Sequence, residues 1–302
     1  MMIVKNFITF IDRHIVVILI LPGLIFYSLF LIFPLLGTFI LSLTKWEGIN
    51  IANIKFIGLS NYLELIHDEI FWKTIYHNFI FVLVITGAQF VLSLLLALCL
   101  NVGLRLAGFF KSIIFLPQVL AFIAIAFLFK FVFAPVYAQG LLNFLLIKAG
   151  LNSFVRLWLG DKNIVLLTLI GVHLWREVGF TTFLMLAGLV NIPQSLYDAA
   201  EIDGANKFRV LRHITLPLLR EVNIVVITLS VIYALRIFEY VFAMTGGGPN
   251  YASEVISTYL YKQAFEGGRM GYSSAISTIF FLIMTIFTFV YLRVTKAGSM
   301  RI

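Results

Sequence analysis

The sequence predicts an all-α integral membrane protein with six transmembrane helices, and two observations support this fold class. Apolar residues make up 61% of the 302 residues and charged residues only 12%, whereas soluble domains contain about 25% charged residues. The chain also has long stretches without Lys, Arg, Asp or Glu, each able to cross a hydrocarbon layer of about 30 Å at a helical rise of about 1.5 Å per residue. We therefore expect a single transmembrane domain over residues 1–302.

Four of the six spans are built around charge-free runs, and two carry charges in their interior. The four spans built around charge-free runs lie at about residues 15–43, 76–101, 110–133 and 270–293. The other two, at about 164–190 and 220–246, each contain an arginine and a glutamate: Arg176 and Glu177 in one, Arg236 and Glu239 in the other. Residues 131–147 are also apolar, but Pro135 and Gly140 interrupt them, so we expect a loop and a short helix outside the bilayer there.

The distribution of Lys and Arg predicts the orientation. With the N-terminus in the cytoplasm, the inner segments hold eleven of these residues and the outer loops eight, and positive charge favours the cytoplasmic side. We expect both termini to be cytoplasmic. The basic pI of about 9.6 then reflects the inner surface of a membrane protein, which argues against a nucleic-acid partner.

The chemistry-bearing residues do not form an enzyme site. The nearest approach to a phosphate-binding loop, from Gly103 to Ser112, has its lysine two residues too late for the GxxxxGK[ST] pattern. The five histidines lack metal-ligand spacing, and Cys99 is the only cysteine. The sequence predicts a non-catalytic chain with no cofactor-binding and no metal-binding residues.

The loop at residues 191–219 is long, polar and patterned for helices. Pro193 suits a helix start with Asn191 as its cap, so we expect a helix from Pro193 to Asp203. Gly204 permits the left-handed turn that would end this helix. A second helix from Ala205 would carry Phe208, Leu211 and Ile214 on one side, and Pro217 marks re-entry into the bilayer.

On the first of these helices the sequence predicts a face of small side chains that project little from the backbone. Leu196, Ala199, Ala200 and Asp203 fall within one stripe at helical spacing, and the paired alanines let another protein approach the backbone closely. From the residues alone, an amphipathic connector lying on lipid headgroups explains the loop nearly as well.

A family resemblance favours the docking interpretation. The order Asp198-Ala199-Ala200, then Gly204, then Ile214-Thr-Leu216-Pro217 resembles the EAA signature of the membrane subunits of binding-protein-dependent ABC importers. The similarity is greatest to sugar permeases of the maltose, lactose and glycerol-phosphate type, and covers almost the whole chain. It includes Phe56-Ile-Gly58-Leu-Ser-Asn61-Tyr62, Phe115-Leu-Pro117, Leu186-Ala-Gly188-Leu and Thr245-Gly-Gly-Gly-Pro249. The chain departs from the signature at Asp198, which stands where the family has glutamate.

The resemblance implies a type I ABC importer permease fold with a cytoplasmic coupling-helix loop. It implies that the coupling contact to an ATP-binding subunit is made by Leu196, Asp198, Ala199, Ala200, Glu201 and Gly204, while Leu216 and Pro217 set how the loop rejoins the bilayer. The implied partners are two ATP-binding subunits that carry ATP and Mg, an extracytoplasmic solute-binding protein and, from the glycine-rich segment ending at Pro249, a second, non-identical permease. The implied location is the cytoplasmic (inner) membrane of a bacterium or archaeon.

The charges within the spans are the candidates for contact with solute. Ionisable groups at membrane depth are costly and tend to face a polar cavity or one another. We expect Trp175, Arg176, Glu177, Arg236, Glu239 and Tyr240 to lie near the translocation path. Arg236 and Glu239 are three residues apart and can pair as a purely structural bridge, whereas Arg176 and Glu177 point about 100° apart on a helix and need other partners.

Two other function classes remain as alternatives. A secondary, ion-coupled transporter would use the intramembrane charges for coupling, but the two halves of the sequence show no convincing repeat. An intramembrane enzyme would need clustered acids or histidines, and the spans offer only Glu177 and Glu239. The sequence leaves the solute open among sugars, polyols and glycerol-phosphate.

Overall fold

The computed structural model describes residues 19–102, 106–138 and 140–297. Residues 15–18 of the first predicted span and both chain termini lie outside this part. The described residues divide into two compact units, one formed by residues 19–68 and 260–297 and the other by residues 69–259. The expectation of one transmembrane domain stays a prediction.

The described part of the chain is helical apart from one short pair of strands. The helices, numbered in chain order, are α1 (Leu19–Leu41), α2 (Ser60–Ile66), α3 (Glu69–Asn101), α4 (Ala107–Val119), α5 (Phe122–Val132), α6 (Leu141–Lys148), α7 (Val165–Val190), α8 (Gln194–Ile202), α9 (Lys207–Leu218), α10 (Arg220–Leu235), α11 (Glu239–Met244), α12 (Ile256–Tyr261) and α13 (Met270–Ala297). The strands β1 (Thr44–Lys45) and β2 (Lys55–Phe56) pair antiparallel, with Thr44 opposite Phe56.

Three unbroken helices, α1, α3 and α13, are long and apolar enough to cross a membrane, and bent helix pairs bring the number in the described residues to as many as six. This agrees with the predicted all-α, six-span fold. Helix α3 begins at Glu69, earlier than the expected residue 76.

Two of the predicted spans are interrupted. Residues 110–133 form α4 and α5, which meet at a bend of 100°. Pro117 removes one backbone donor near the end of α4, and Leu120 and Ala121 are extended. Residues 220–246 form α10 and α11, and α10 ends at its C-cap residue Arg236. The sequence did not predict either break.

In the larger unit, α3 and α7 pack against each other along their lengths. One buried apolar cluster includes Phe81, Ile85 and Leu169. A second lies nearer the loop at residues 191–219 and includes Met185 and Leu219. These two clusters hold α7 in place and with it the start of that loop.

In the smaller unit, α1 packs against α13, with Phe39 and Phe281 meeting edge to face at 5.7 Å between ring centroids. The buried amide of Asn61 on α2 donates to the carbonyls of Ser42 at 2.8 Å and Thr44 at 2.9 Å. This amide fixes α2 beside the end of α1.

Candidate functional site

Helix α8, the predicted coupling helix, starts later than predicted. It runs from Gln194 to Ile202, and Pro193 is the extended residue before it. The expectation that Asn191 caps this helix was wrong, because Asn191 ends α7 and its side-chain amide donates to the Ala187 carbonyl at 2.9 Å. Pro193 therefore separates the two helices instead of opening the second.

Gly204 ends α8 in the predicted left-handed conformation. Its φ is +71°. The N–H of Gly204 donates to Glu201 O at 3.0 Å and the N–H of Ala205 donates to Ala200 O at 2.9 Å, which is the Schellman pattern for closing a helix. These two hydrogen bonds hold the turn between α8 and α9 in one conformation, and we call this turn the hinge.

The predicted stripe on α8 is split between two faces. Leu196 is 41% exposed, and Ala199 and Asp203 are exposed with it. Ala200 is 8% exposed and lies on the inner side. The neighbouring Tyr197 is half-buried and contacts Thr215 of α9 through their hydroxyl groups at 3.3 Å. The coupling contact expected of Ala200 stays a prediction.

Asp198 and Glu201 are exposed on α8. The Gln194 amide, one turn earlier, donates to Asp198 Oδ1 at 3.1 Å. This hydrogen bond orients the carboxylate that stands where the family signature has glutamate, while leaving it open to a partner.

Helix α9 begins at a cap that the sequence analysis missed. The side chain of Asn206 accepts a hydrogen bond from the Arg209 N–H at 2.8 Å, as a helix N-cap does. Residues Leu211–Thr215 form a π-helical turn. Phe208 is 67% exposed, while Leu211 and Ile214 are half-buried, so the three residues of the predicted apolar side are not equally buried.

The loop leads into α10 through Leu216 and Pro217, where the sequence predicts re-entry into the bilayer. Leu216 packs against the second apolar cluster, and Pro217 is exposed at the start of the last turn of α9. The chain then bends by 75° between α9 and α10, next to the fully buried Leu219. Leu216 and Leu219 thus anchor this bend in the second apolar cluster, and the role of Leu216 and Pro217 in membrane re-entry stays a prediction.

The buried charges of α7 pair with each other. Arg176 and Glu177 are 7% and 1% exposed and form an ion pair through Arg176 Nη1 and Glu177 Oε1. The expectation that these neighbours need separate partners was wrong, because long side chains can turn toward each other despite their angular separation on the helix.

The second pair of charged residues in a predicted span, Arg236 and Glu239, is exposed and does not form an ion pair in the described part of the chain. Arg236 and Glu239 are both exposed and lie on either side of the break between α10 and α11. The predicted intrahelical bridge requires an unbroken helix, and among the described residues the structure contains no ion pair between these two side chains.

The six predicted path residues form two groups. Trp175, Arg236 and Glu239 are exposed, whereas Arg176, Glu177 and Tyr240 are buried. Trp175 meets Phe129 of α5 edge to face at 5.1 Å, and Tyr240 meets Phe122 in the same way at 5.6 Å. The structure does not bring the six side chains together at one surface.

His173 and Gln118 join the buried group and were missed from the sequence. His173 is 3% exposed and packs edge to face on Tyr240 at 6.0 Å, and neither of its ring nitrogens has a hydrogen-bond partner within the described part of the chain. Gln118, with its amide nitrogen facing the acceptors, donates to Arg176 O and Glu177 Oε2, each at 3.2 Å. His173 precedes Arg176 and Glu177 by three and four residues, a spacing that places all three on adjoining parts of one helix face.

Comparisons with known proteins point to one family. Residues 89–297 match the family described as binding-protein-dependent transport system inner membrane component. The chain is 37% identical over 280 residues to "Probable ABC transporter permease protein YurN" of Bacillus subtilis, covering 92% of this chain and 94% of that protein. It is 36% identical over 278 residues to the trehalose/maltose transport system permease protein MalF of Thermococcus litoralis, covering 92% of each.

The fold also resembles a solved structure. A chain in the crystal structure of a bacterial ABC transporter involved in the import of alginate aligns with a TM-score of 0.82 and 22% identity, covering 97% of this chain and 99% of that chain. At this identity the likeness concerns the fold, and it supports the predicted type I importer permease architecture.

Proposed function

Since the chain belongs to the inner membrane components of binding-protein-dependent transport systems and is a membrane-spanning ABC permease, we propose that it forms half of the translocation path for a sugar or related polyol. We further propose that residues 192–219 couple this path to ATP hydrolysis on partner subunits. The solute class rests on relatives named for trehalose/maltose, arabinooligosaccharide and lactose transport, which are 36%, 29% and 30% identical to this chain.

The observation that carries the coupling proposal is the exposed outer face of α8. Leu196, Asp198, Ala199 and Glu201 are exposed there, and the face lies within the matched region 89–297. A leucine and an alanine beside two carboxylates offer apolar contact at a low surface, with charge at its edge. Ala200, Gly204, Leu216 and Pro217 have a supporting role in this proposal, because they set the packing, the hinge and the re-entry of the loop.

Exposure also favours three of the six path residues as solute contacts. Arg236 and Glu239 are exposed at the break of a membrane span, and charges at that depth are costly against lipid. We place them, with the exposed Trp175, on the wall of a polar path, where an indole can stack on a sugar ring and charged groups can bind hydroxyls. Arg176, Glu177 and Tyr240 then lie behind this wall.

The remaining partners follow from the same proposal. The chain would pair with a second, non-identical permease, and the pair would contact two ATP-binding subunits that hold ATP and Mg. An extracytoplasmic solute-binding protein would deliver the solute. The excess of Lys and Arg on one side supports cytoplasmic termini. With that orientation α8 and α9 would lie in the cytoplasm, on the same side as the ATP-binding subunits.

A charge on the outer face of α8 tests the coupling. In the complete importer in proteoliposomes, we expect Ala199→Asp to lower ATP-driven solute uptake by about tenfold or more, since an unpaired charge buried at an interface costs over 1.4 kcal/mol. The matched control is Val102→Asp, which places the same charge at a residue that is 77% exposed outside the loop and should transport normally. Normal uptake by Ala199→Asp, with both variants assembled, would remove the docking assignment.

A further inference from the structure

The break between α4 and α5 leaves backbone groups that need partners. Leu120 and Ala121 are extended, and the helix axis turns by 100° across them. Carbonyls in the last turn of α4 therefore cannot reach the N–H groups four residues further on. Within the hydrocarbon layer no bulk water is available to satisfy them, so such a break persists where protein groups supply the missing hydrogen bonds or where it lines a water-filled cavity.

Arg176 of α7 supplies these hydrogen bonds. Its Nη2 donates to the Gln118 carbonyl at 3.2 Å, and its Nε lies 3.5 Å from the Leu120 carbonyl, a long contact. Its Cζ lies 3.8 Å from the centroid of the Phe122 ring, at the first residue of α5. One guanidinium group thus contacts both halves of the broken span, and a cation at a helix C-terminus is also favoured by the helix dipole.

Glu177 and Gln118 complete the cluster. Glu177 neutralises the guanidinium, and the Gln118 side chain bridges to Glu177 Oε2 and Arg176 O. Burying such a pair costs desolvation energy that its attraction barely recovers, so an ion pair here contributes little to stability by itself. What the cluster does supply is a fixed geometry at the bend, because the planar guanidinium holds several donors in one orientation.

The close approach of α7 to α4 sets the reach of Arg176. A Cβ atom at Gly179 would collide with the carbonyl oxygen of Ile114 and lie 3.2 Å from Phe115 Cα. Gly179 is three residues after Arg176 on α7, so the backbones of α7 and α4 approach closely within one helical turn of Arg176. A guanidinium group can therefore reach the carbonyls that follow Pro117.

From these contacts we infer that Arg176 is a positioning residue that clamps the bend of the third span and so holds α5 in place. Helix α5 carries Phe129, which packs against Trp175 at 5.1 Å. The clamp therefore sets one wall of the path beside Trp175. Its effect on transport rests on the proposed function, whereas its effect on the bend does not.

The bend can be measured directly. Spin labels at Phe109 and Phe131, which are 60% and 62% exposed on the two sides of the bend, would be about 33 Å apart along a straight helix and much closer across the bend. The native cysteine, Cys99, is first replaced by serine so that only these two sites are labelled. Distances are recorded by pulsed electron paramagnetic resonance on the assembled importer.

Four variants separate the clamp from a simple ion pair. We expect Arg176→Met to shift or broaden the distribution of label distances toward the straight-helix value. Arg176→Lys should restore the native distance in part, since lysine keeps the positive charge but lacks the planar guanidinium that can donate to several carbonyls at once. Glu177→Gln keeps the guanidinium contacts and should leave the distance unchanged. The double variant Arg176→Met/Glu177→Met removes the charges together, and it should still lose the bend because the carbonyls remain without donors.

Transport kinetics supply the second measurement. A clamp predicts that Arg176→Met lowers the maximal rate of ATP-driven uptake by about tenfold while the apparent KM changes less than about twofold. An unchanged distance in Arg176→Met, or a native distance in the double variant, would overturn the inference. A raised KM with a native distance would instead make Arg176 a solute contact. If the distances respond as expected but the wild-type importer carries no sugar, only the solute assignment fails.

Discussion

Gly179 lies where the backbone of α7 passes close to that of α4. The atoms that a Cβ would meet there belong to the backbone of Ile114 and Phe115, so no side-chain rotation can relieve the contact. A glycine is needed at this position for its small size, and the position of Arg176 beside the bend depends on it.

We expect Gly179→Ala to destabilise the protein, because the added methyl group forces α7 and α4 apart, and overpacking of this kind typically costs about 1–3 kcal/mol. The measurement is the thermal unfolding midpoint of the purified chain in detergent. The matched control is Gly171→Ala on the same helix, where a Cβ would have no atom within 4 Å. Equal midpoints for the two variants would contradict the close approach.

Two adjacent residues of the same type on α8 also differ in burial. Ala199 and Ala200 are adjacent and identical, yet Ala199 is exposed and Ala200 is 8% exposed. The helical spacing predicted that both alanines lie on one exposed stripe. Spacing gives the angles between residues around a helix, but it does not say which side of the helix faces its neighbour. In the structure, the covered side of α8 is the one that carries Ala200 and the half-buried Tyr197.

The coupling segment consists of two helices whose angle is set at Gly204. Helix α8 ends there through two backbone hydrogen bonds, and α9 begins three residues later at Lys207, directly after the Asn206 cap. A segment this short between two capped ends has little freedom. Motion of an ATP-binding subunit against α8 would therefore pass to α9 and through Leu219 to α10.

At this hinge we expect Gly204→Val to weaken coupling, because a β-branched residue at φ +71° strains the backbone by more than the roughly 1–2 kcal/mol typical of a left-handed L-residue. Gly204→Asn is the matched control, since asparagine adopts this conformation most readily among the larger residues. The measurement is solute imported per ATP hydrolysed by the complete importer. A native ratio in Gly204→Val would show that the hinge geometry is not needed for coupling.

Two of the predicted membrane helices are broken, and their amino-acid composition gives no sign of the breaks. Residues 110–133 and 220–246 are apolar enough to suggest continuous helices, yet each divides into two. Pro117 gives a local signal for the first break, but the bend falls three residues later, where α7 offers Arg176 as a donor. The second break has no proline or glycine within residues 235–239 to announce it.

At the scale of the whole molecule, the proposed function gives the chain membrane spans and a docking loop, with the energy supplied by other subunits. We expect uptake to require ATP, the ATP-binding subunits and the solute-binding protein, because the chain has no phosphate-binding loop of its own. The measurement is uptake into proteoliposomes with internal ATP, in the presence and absence of a protonophore. Omission of the ATP-binding subunits should abolish uptake, and the protonophore should leave it unchanged. Uptake driven by a proton gradient with this chain alone would favour the secondary-transport alternative.

The sequence by itself determined the membrane class, the approximate positions of the spans, the two-helix loop with its hinge at Gly204, and the family. These depend on composition, on periodicity along one segment and on local motifs, all of which are written in consecutive residues. Only the tertiary structure decided that Arg176 pairs with Glu177 at a bend, that Arg236 and Glu239 are parted by a break, and that Ala200 faces inward. Each of these depends on which other helix lies alongside, and in a membrane the neighbouring helix decides which backbone groups can be left without their own helical partners.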